Sequence, residues 1–230
     1  MTADIQGIIF DKDGTLLDFH ATWNPTNWAA AHLAAHNNAD LAEMLLTLGG
    51  YDITTDRVRG GGMLAQDSTR EIATQWHHHT TGWELDDLID AINRVYATAE
   101  PAPVLGLRET LDHYREKNIA MGIVTSDAEA PAISQMESLN LKDHFVFIAG
   151  YDSGFGEKPE PGALHAFSQQ TNIAPENLAF IGDNSHDMET GRRGGAGMVV
   201  GVLTGTSSHD DLAPLADHVL ESIVDLPKLF

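Results

Sequence analysis

The chain of 230 residues contains no cysteine. Disulfides, thiolate metal sites, iron–sulfur clusters and a cysteine nucleophile are therefore excluded. Basic residues are scarce: 13 Lys and Arg face 34 Asp and Glu, giving a formal charge of −21, and only five of the 13 are lysine. Protonating all 12 histidines would leave the chain anionic. Nucleic-acid backbones and anionic membranes need a basic face, so neither is expected as a general partner. A small anionic substrate held by a local cation remains compatible. No window approaches the roughly 18 uninterrupted apolar residues of a membrane span. The N-terminal MTADIQGIIF has neither the basic start nor the longer apolar stretch of a signal peptide, so a cytoplasmic protein is expected. Hydrophobic residues at 42% and charged residues at 20% are ordinary for a folded chain. The length suits one substantial core, or a core with a smaller lobe.

Two textures alternate along the chain. Short β-rich runs end in polar, glycine-containing segments: Ile5–Phe10 before DKDGT, Ile119–Val124 before TSD, Phe145–Ile148 before AGYDSG, Leu178–Ile181 before GDNSHD, and Met198–Val202 before LTGT. Helix-like stretches separate the later runs at Gly106–Lys117, Ala130–Leu139, Pro161–Thr171 and Ser185–Arg193. This repeat predicts an α/β fold with a doubly wound parallel sheet, Rossmann-like, covered on both faces. Ligands of such sheets bind at the carboxyl ends of the strands, where the polar segments fall. Residues 18–100 break the rhythm. They show no good strand run and read as helices, with Leu85, Leu88, Ile89, Ile92, Val95 and Tyr96 at helical spacing. All four tryptophans lie there (Trp23, Trp28, Trp76, Trp83), and Pro101 and Pro103 mark the return to the α/β texture. The predicted organisation is a core from residues 1–17 and 101–230, with an inserted α-helical domain over 18–100.

The strongest chemical signal is Asp11-Lys12-Asp13-Gly14-Thr15. In extended backbone Asp11 and Asp13 project to one side while Lys12 points away. Gly14 permits a sharp turn that brings backbone N–H groups near a ligand. Two carboxylates this close repel unless a cation sits between them or one holds a proton. The first case describes a magnesium site built from hard oxygen ligands; the second describes a nucleophile beside a general acid. Asp183 ends another strand and Asp187 follows four residues on, in the first turn of a predicted helix. Both can reach one metal, while Asp183 or Ser185 caps that helix and Asp187 complements its dipole. Lys158, in GEKPEP, can neutralise a phosphate or a nucleophile. Thr125 and Ser126 offer hydroxyl and N–H donors to phosphate oxygens.

Taken in order, DKDGT, strand-ending Thr125, Lys158 in EKPEP, and GDNSHD resemble the haloacid dehalogenase-like superfamily of phosphatases. The phosphoglycolate phosphatase-like members with a helical cap are the nearest in pattern, and the resemblance covers nearly the whole chain. It implies that Asp11 is the nucleophile, forming an aspartyl-phosphate, and that Asp13 is the general acid and then the base. It makes Thr125 the phosphate-binding hydroxyl and Lys158 the cation beside nucleophile and phosphate. Magnesium would be held by the Asp11 carboxylate, the Asp13 backbone carbonyl and Asp183, with Asp187 a second, partly outer-shell acid. The implied substrate is a small phosphorylated metabolite, and the implied assembly a monomer or homodimer.

Departures from the family pattern sharpen the reading. After Thr125 the chain carries Ser126-Asp127, where many relatives have a neutral or basic pair, so Asp127 is expected to point outward or cap the next helix. The insertion holds Arg57, Arg59, Arg70 and Arg94 but no lysine, which removes a phosphonate-cleaving mechanism based on a cap-lysine Schiff base. The segment Arg57–Gly62 is either a mobile loop presenting an arginine such as Arg59 to a second anion or a solvated loop. His77–His79 reads as a solvated turn. The alternatives are a phosphomutase using the same residues and a phospho-accepting signalling domain. The paired Asp11 and Asp13 and the large insertion count against the latter.

Overall fold

The computed structural model describes residues 4–230. Its strands are β1 (Gly7–Phe10), β2 (Tyr51–Asp52), β3 (Arg57–Val58), β4 (Ala120–Val124), β5 (Phe147–Ala149), β6 (Leu178–Gly182), β7 (Met198–Val202) and β8 (His218–Leu220). The helices are α1 (Phe19–Ala34), α2 (Ala39–Leu48), α3 (Met63–Gln66), α4 (Thr69–His77), α5 (Leu85–Tyr96), α6 (Leu107–Glu116), α7 (Glu129–Ser138), α8 (Gly162–Thr171), α9 (Ser185–Gly194) and α10 (His209–Leu212). The chain divides into two compact units. One comprises the residues up to Asp18 together with Pro103–Phe230, and the other is Phe19–Ala102.

The first unit is a six-stranded parallel sheet in the order β5-β4-β1-β6-β7-β8. The chain enters at β1, builds outward through β4 and β5, then returns to the other side of β1 and builds outward again. The order therefore reverses around β1, which opens a crevice at the carboxyl ends of β1, β4 and β6. Side chains two apart share a face, and the strands use both faces. Ile8 and Phe10 pack with Leu111 and Tyr114 of α6 and Met136 of α7. Ile9 packs with Leu164 and Phe167 of α8 on the opposite side. With apolar residues needed on both faces, the strands read as continuous hydrophobic runs rather than alternating ones. Burying each such side chain contributes roughly 1.5–3 kcal/mol.

The second unit is helical around Trp76, which is fully buried, with Leu45, Leu46, Leu88, Ile89 and Ile92. The α5 stripe expected from the sequence is present: Leu88, Ile89 and Ile92 are buried, with Leu85, Val95 and Tyr96 packed against them. Helix α4 starts with a reciprocal cap between Ser68 and Glu71. The expectation of no strand here is corrected by a two-stranded antiparallel ribbon pairing Tyr51 with Val58 and Asp52 with Arg57. Strands of two residues are too short to show a period of two. In the turn, Asp52 Oδ1 accepts from the Thr54 N–H at 2.9 Å, which closes the loop locally.

Candidate active site

DKDGT, Thr125 and GDNSHD fall just beyond the carboxyl ends of β1, β4 and β6, and Lys158 lies further along the loop between β5 and α8. Asp11 follows β1 and its N–H donates to Ile181 O at 2.8 Å, which carries the β1–β6 register one residue further. The chain then wraps around the Lys12 carbonyl, which accepts from the N–H groups of Thr15, Leu16 and Leu17 at 3.3, 2.9 and 3.0 Å. Gly14 makes this turn with φ of +86°, and a Cβ there would stand 2.5 Å from Asp183 Cγ. Both facts demand glycine. Its N–H donates to Leu17 O at 2.7 Å, so Gly14 contributes room and curvature rather than a donor to a ligand.

Asp11, Asp183 and Asp187 converge, each offering a carboxylate oxygen within 4.8 Å of the others, and all three are buried. Lys158 enters from the segment before α8. Its Nζ lies 2.5 Å from Asp11 Oδ1 and 2.6 Å from Asp187 Oδ1, with the side chain 2% exposed. Asp187 is further held through Oδ2 by the N–H groups of Asp183 and Asn184, both at 3.1 Å. The cap of α9 is Asn184, in a reciprocal box with Asp187. This corrects the sequence expectation of Asp183 or Ser185. With its Oδ1 toward Lys158, Asp187 serves helix and cluster together. Asp183 Oδ2 accepts the Thr206 N–H at 3.0 Å, whereas its buried Oδ1 has no hydrogen-bond partner.

The electrostatics are unbalanced. Three buried carboxylates face one ammonium, which leaves two negative charges unanswered when all are ionised. Burial, reinforced by Asp187 and opposed by Lys158, pushes Asp11 up to about 7. Burial, with Asp11 and Asp187 adding to it, holds Asp183 well above the usual carboxylate range. Burial pulls Lys158 down, but the two carboxylates outweigh it and its pKa is raised. A buried carboxylate set with one oxygen lacking any partner is the environment that a hard divalent cation satisfies. The donor set fits magnesium on these grounds.

The other candidates are distributed as follows. Thr125 is buried at the end of β4; its N–H donates to Ala149 O, and its Oγ1 accepts from the Asp127 N–H at 3.1 Å. The hydroxyl proton is left to donate elsewhere. Ser126 is exposed. Arg59 is exposed in the helical unit, its N–H bonded to Gly50 O beyond β3. Lys12, expected from alternation to point away from Asp11 and Asp13, instead turns its ammonium to Asp13. It is fully buried, 2.6 Å from Asp13 Oδ2, 2.7 Å from Gln135 Oε1 and 3.4 Å from Asp127 Oδ2. Asp127 also accepts the Ala128 N–H at the start of α7. Ala128 is the cap residue of α7 and no side chain caps that helix, so Asp127 neither caps it nor points outward as expected; its charge faces a buried lysine. His77 Nε2 bonds Trp83 O, and His186 is exposed.

Sequence reasoning missed the loop after β7. Thr204 Oγ1 donates to Gly14 O at 2.7 Å, Thr206 N–H holds Asp183, and a Cβ on Gly205 would overlap the Asp183 carboxylate. The signal was available, since LTGT ends a strand of the same sheet.

Comparison with known proteins shows the family and the fold. Residues 8–201 match the model of the family described as haloacid dehalogenase-like hydrolase. The phosphoglycolate phosphatase of Escherichia coli K12 is 27% identical over 244 aligned positions, covering 97% of this chain and 91% of that protein. Among solved structures, a predicted phosphoglycolate phosphatase from Haemophilus somnus superposes with a TM-score of 0.76 at 18% identity, covering 98% of each chain. A Thermotoga maritima protein with a provisional β-phosphoglucomutase assignment reaches 0.77 at 17% identity, again covering 98% of each. At such identities the structural likeness establishes the fold alone.

Proposed function

Because the chain belongs to the haloacid dehalogenase-like hydrolases, we propose that it is a magnesium-dependent phosphatase acting on a small phosphorylated metabolite through an aspartyl-phosphate. The observation that carries this reading is the buried Asp11–Asp183–Asp187 cluster, with Lys158 bridging two of its members and one Asp183 oxygen unpartnered. Their convergence supports the family expectation for Asp11, Lys158, Asp183 and Asp187. The relatives named phosphoglycolate phosphatase make a small phosphate ester of that kind the first substrate to test. The helical unit is assigned the role of a substrate-selecting cap, and the cytoplasm is the proposed compartment.

Phosphoryl transfer is a matter of positioning and of answering spread-out negative charge. A carboxylate approaches a phosphate dianion only where cations offset the repulsion. Lys158, shared between Asp11 and Asp187, serves that purpose and holds Asp11 in line. The first step forms a bond from an Asp11 oxygen to phosphorus as the ester P–O bond breaks, and the leaving oxygen takes a proton from Asp13. In the second, water attacks the phosphorus, gives a proton to Asp13, and the P–O bond to Asp11 breaks to release inorganic phosphate. One carboxyl group thus acts first as acid and then as base. Thr125 donates its hydroxyl to a phosphate oxygen, with Ser126 beside it. Asp11, the Asp13 carbonyl and Asp183 would hold magnesium with Asp187 behind them; when bound, it neutralises phosphoryl charge and orients the ester.

The test is phosphate release from sugar phosphates, phosphoglycolate, nucleoside monophosphates, pyrophosphate and an aryl phosphate, with and without magnesium. Metal-dependent release from at least one ester is expected. Absence of release from every ester overturns the reading. Isomerisation of a sugar phosphate without net release would identify a phosphomutase instead.

A further inference from the structure

A lysine with no exposed surface is costly to bury unless its ammonium is fully engaged. Lys12 is such a residue, and it lies between the two aspartates of the β1 loop. Its Nζ reaches three side chains: Asp13 Oδ2 at 2.6 Å, Gln135 Oε1 at 2.7 Å and Asp127 Oδ2 at 3.4 Å. Those partners come from three segments, namely the β1 loop, the middle of α7 and the loop after β4. The backbone of Lys12 is pinned as well, because its carbonyl collects the N–H groups of Thr15, Leu16 and Leu17. Asp127 is itself fixed by the Ala128 N–H. Lys12 is therefore a rigid post, anchored at the backbone and by two neighbours, with Asp13 attached to it.

We infer that Lys12 is a positioning residue for Asp13, turning its carboxyl group through Oδ2 into the orientation from which the proton reaches the leaving oxygen, with Asp127 and Gln135 as the anchors of the lysine. The inference rests on the assignment of Asp13 as acid and base. It also explains the acidic residue that follows Thr125-Ser126: Asp127 answers the lysine rather than opposing a phosphate. The step it serves is balanced by that assignment, since the ester P–O bond breaks and the released oxygen takes the proton that Asp13 loses. In kcat/KM, which reads the first step, a misdirected acid is felt only where the leaving oxygen needs that proton. An aryl oxygen departs readily without it, and an alkyl oxygen does not. The second step, with Asp13 as base, is common to both esters and shows in kcat alone.

The experiment measures kcat and kcat/KM for Lys12→Met, Lys12→Arg and Asp13→Asn, and for Lys12→Met combined with Asp13→Asn. The substrates are p-nitrophenyl phosphate and the alkyl phosphate of the panel that the parent enzyme turns over fastest, both with magnesium. General acid catalysis contributes on the order of 10²–10⁴-fold. Lys12→Met is expected to lower kcat/KM by about 10²-fold on the alkyl ester and only about threefold on the aryl ester. Lys12→Arg should recover part of the alkyl loss, and Lys12→Met should add nothing once Asp13 is already Asn. Equal losses of kcat/KM on both esters, or a Lys12→Met penalty that persists beside Asp13→Asn, would show a purely structural lysine and overturn the inference. If Lys12→Met fails to fold, Asp127→Asn with Gln135→Leu removes the anchors instead. That pair must then show the same alkyl-selective loss, and an unselective effect overturns the inference equally. Full alkyl turnover by Asp13→Asn would instead overturn the assignment of Asp13 itself, and this inference with it.

Discussion

The two units bury different kinds of side chain. Among the described residues, the buried acids and lysines all lie in the α/β unit: Asp11, Lys12, Lys158, Asp183 and Asp187. The helical unit buries aromatics and neutral polar groups instead, including Trp76, Tyr51, Asn24 and Asn27, and its four arginines are all exposed. A buried charge costs several kcal/mol unless it is paired, so charge enters a core only where something compensates. At the ends of β1, β4 and β6 the charges compensate one another in two sets. One surrounds Lys158 and carries excess negative charge; the other surrounds Lys12. A core whose task is only to pack has no reason to bear that cost. The sharpest way to break the contrast is to remove a charge from the first set. Asp11→Asn should lower phosphate release by roughly 10⁴-fold or more while thermal unfolding stays cooperative. Near-normal turnover would return the whole cluster to a structural role.

The converse change belongs to the helical unit. Trp76 is fully buried, and its Nε1 donates to Leu45 O at 3.1 Å. Trp76→Ala removes the largest side chain of that core and should cost about 3–5 kcal/mol. The expected result is loss of near-ultraviolet circular dichroism from the remaining tryptophans, all of which lie in this unit. Magnesium binding, followed by calorimetry, should survive, because every proposed ligand lies in the other unit. Loss of both together would mean that the units do not fold independently.

The same contrast explains what was legible in the sequence. Chemistry constrains residue type and spacing at once, so DKDGT, Lys158 and GDNSHD could be read together from the sequence, and Asp11, Lys158, Asp183 and Asp187 do converge. The sheet was equally plain, because strands buried on both faces read as apolar runs and their polar ends mark one edge. Packing constrains only size and polarity. Hence α5 showed through its stripe, whereas the Tyr51–Val58 ribbon, two residues a side, left no pattern. Lys12 escaped for a different reason. Alternation gives the direction of a Cα–Cβ bond, but a flexible four-carbon stem carries the ammonium back to a neighbour. Asp127 escaped with it, since its partner lies 115 positions away in the chain. Long-range charge pairing is invisible to local periodicity.

The unanswered charge around Lys158 makes a prediction about pH. Burial raises Asp11 from its ordinary 3.8 to about 7, and Asp183 is displaced the same way. Below pH 4 both the folded and unfolded forms hold the Asp11 proton, and its contribution to stability is complete. Between 4 and 7 the unfolded chain releases the proton while the folded protein keeps it, so metal-free stability falls as pH rises. The slope is about 1.4 kcal/mol per pH unit for each such proton. Above 7 this contribution is gone. Urea unfolding of the metal-free protein at pH 5, 6, 7 and 8 reads the slope directly. Asp11→Asn should flatten it, as should saturating magnesium, which favours the ionised cluster. An unchanged slope in Asp11→Asn would mean that the folded protein carries Asp11 ionised throughout.

The smallest effect is expected from Arg59, where the contrast between the units is tested at the surface. Its side chain is exposed in the helical unit, and exposed charges away from caps and ion-pair networks contribute little to stability. Arg59→Ala should therefore leave the unfolding transition in place. Function is a separate matter if this arginine meets the second anion of a substrate. An arginine–carboxylate contact is specific in geometry and partly screened by solvent, so the loss should appear as a severalfold rise in KM with kcat preserved. That rise should be confined to esters bearing a second negative group, such as phosphoglycolate, and absent for p-nitrophenyl phosphate. Added salt should shrink the difference between parent and variant on phosphoglycolate. A KM unchanged on both esters would assign Arg59 to solvent and leave substrate selection to other residues of the helical unit. An increase on both alike would place its effect on the phosphoryl group that every substrate shares.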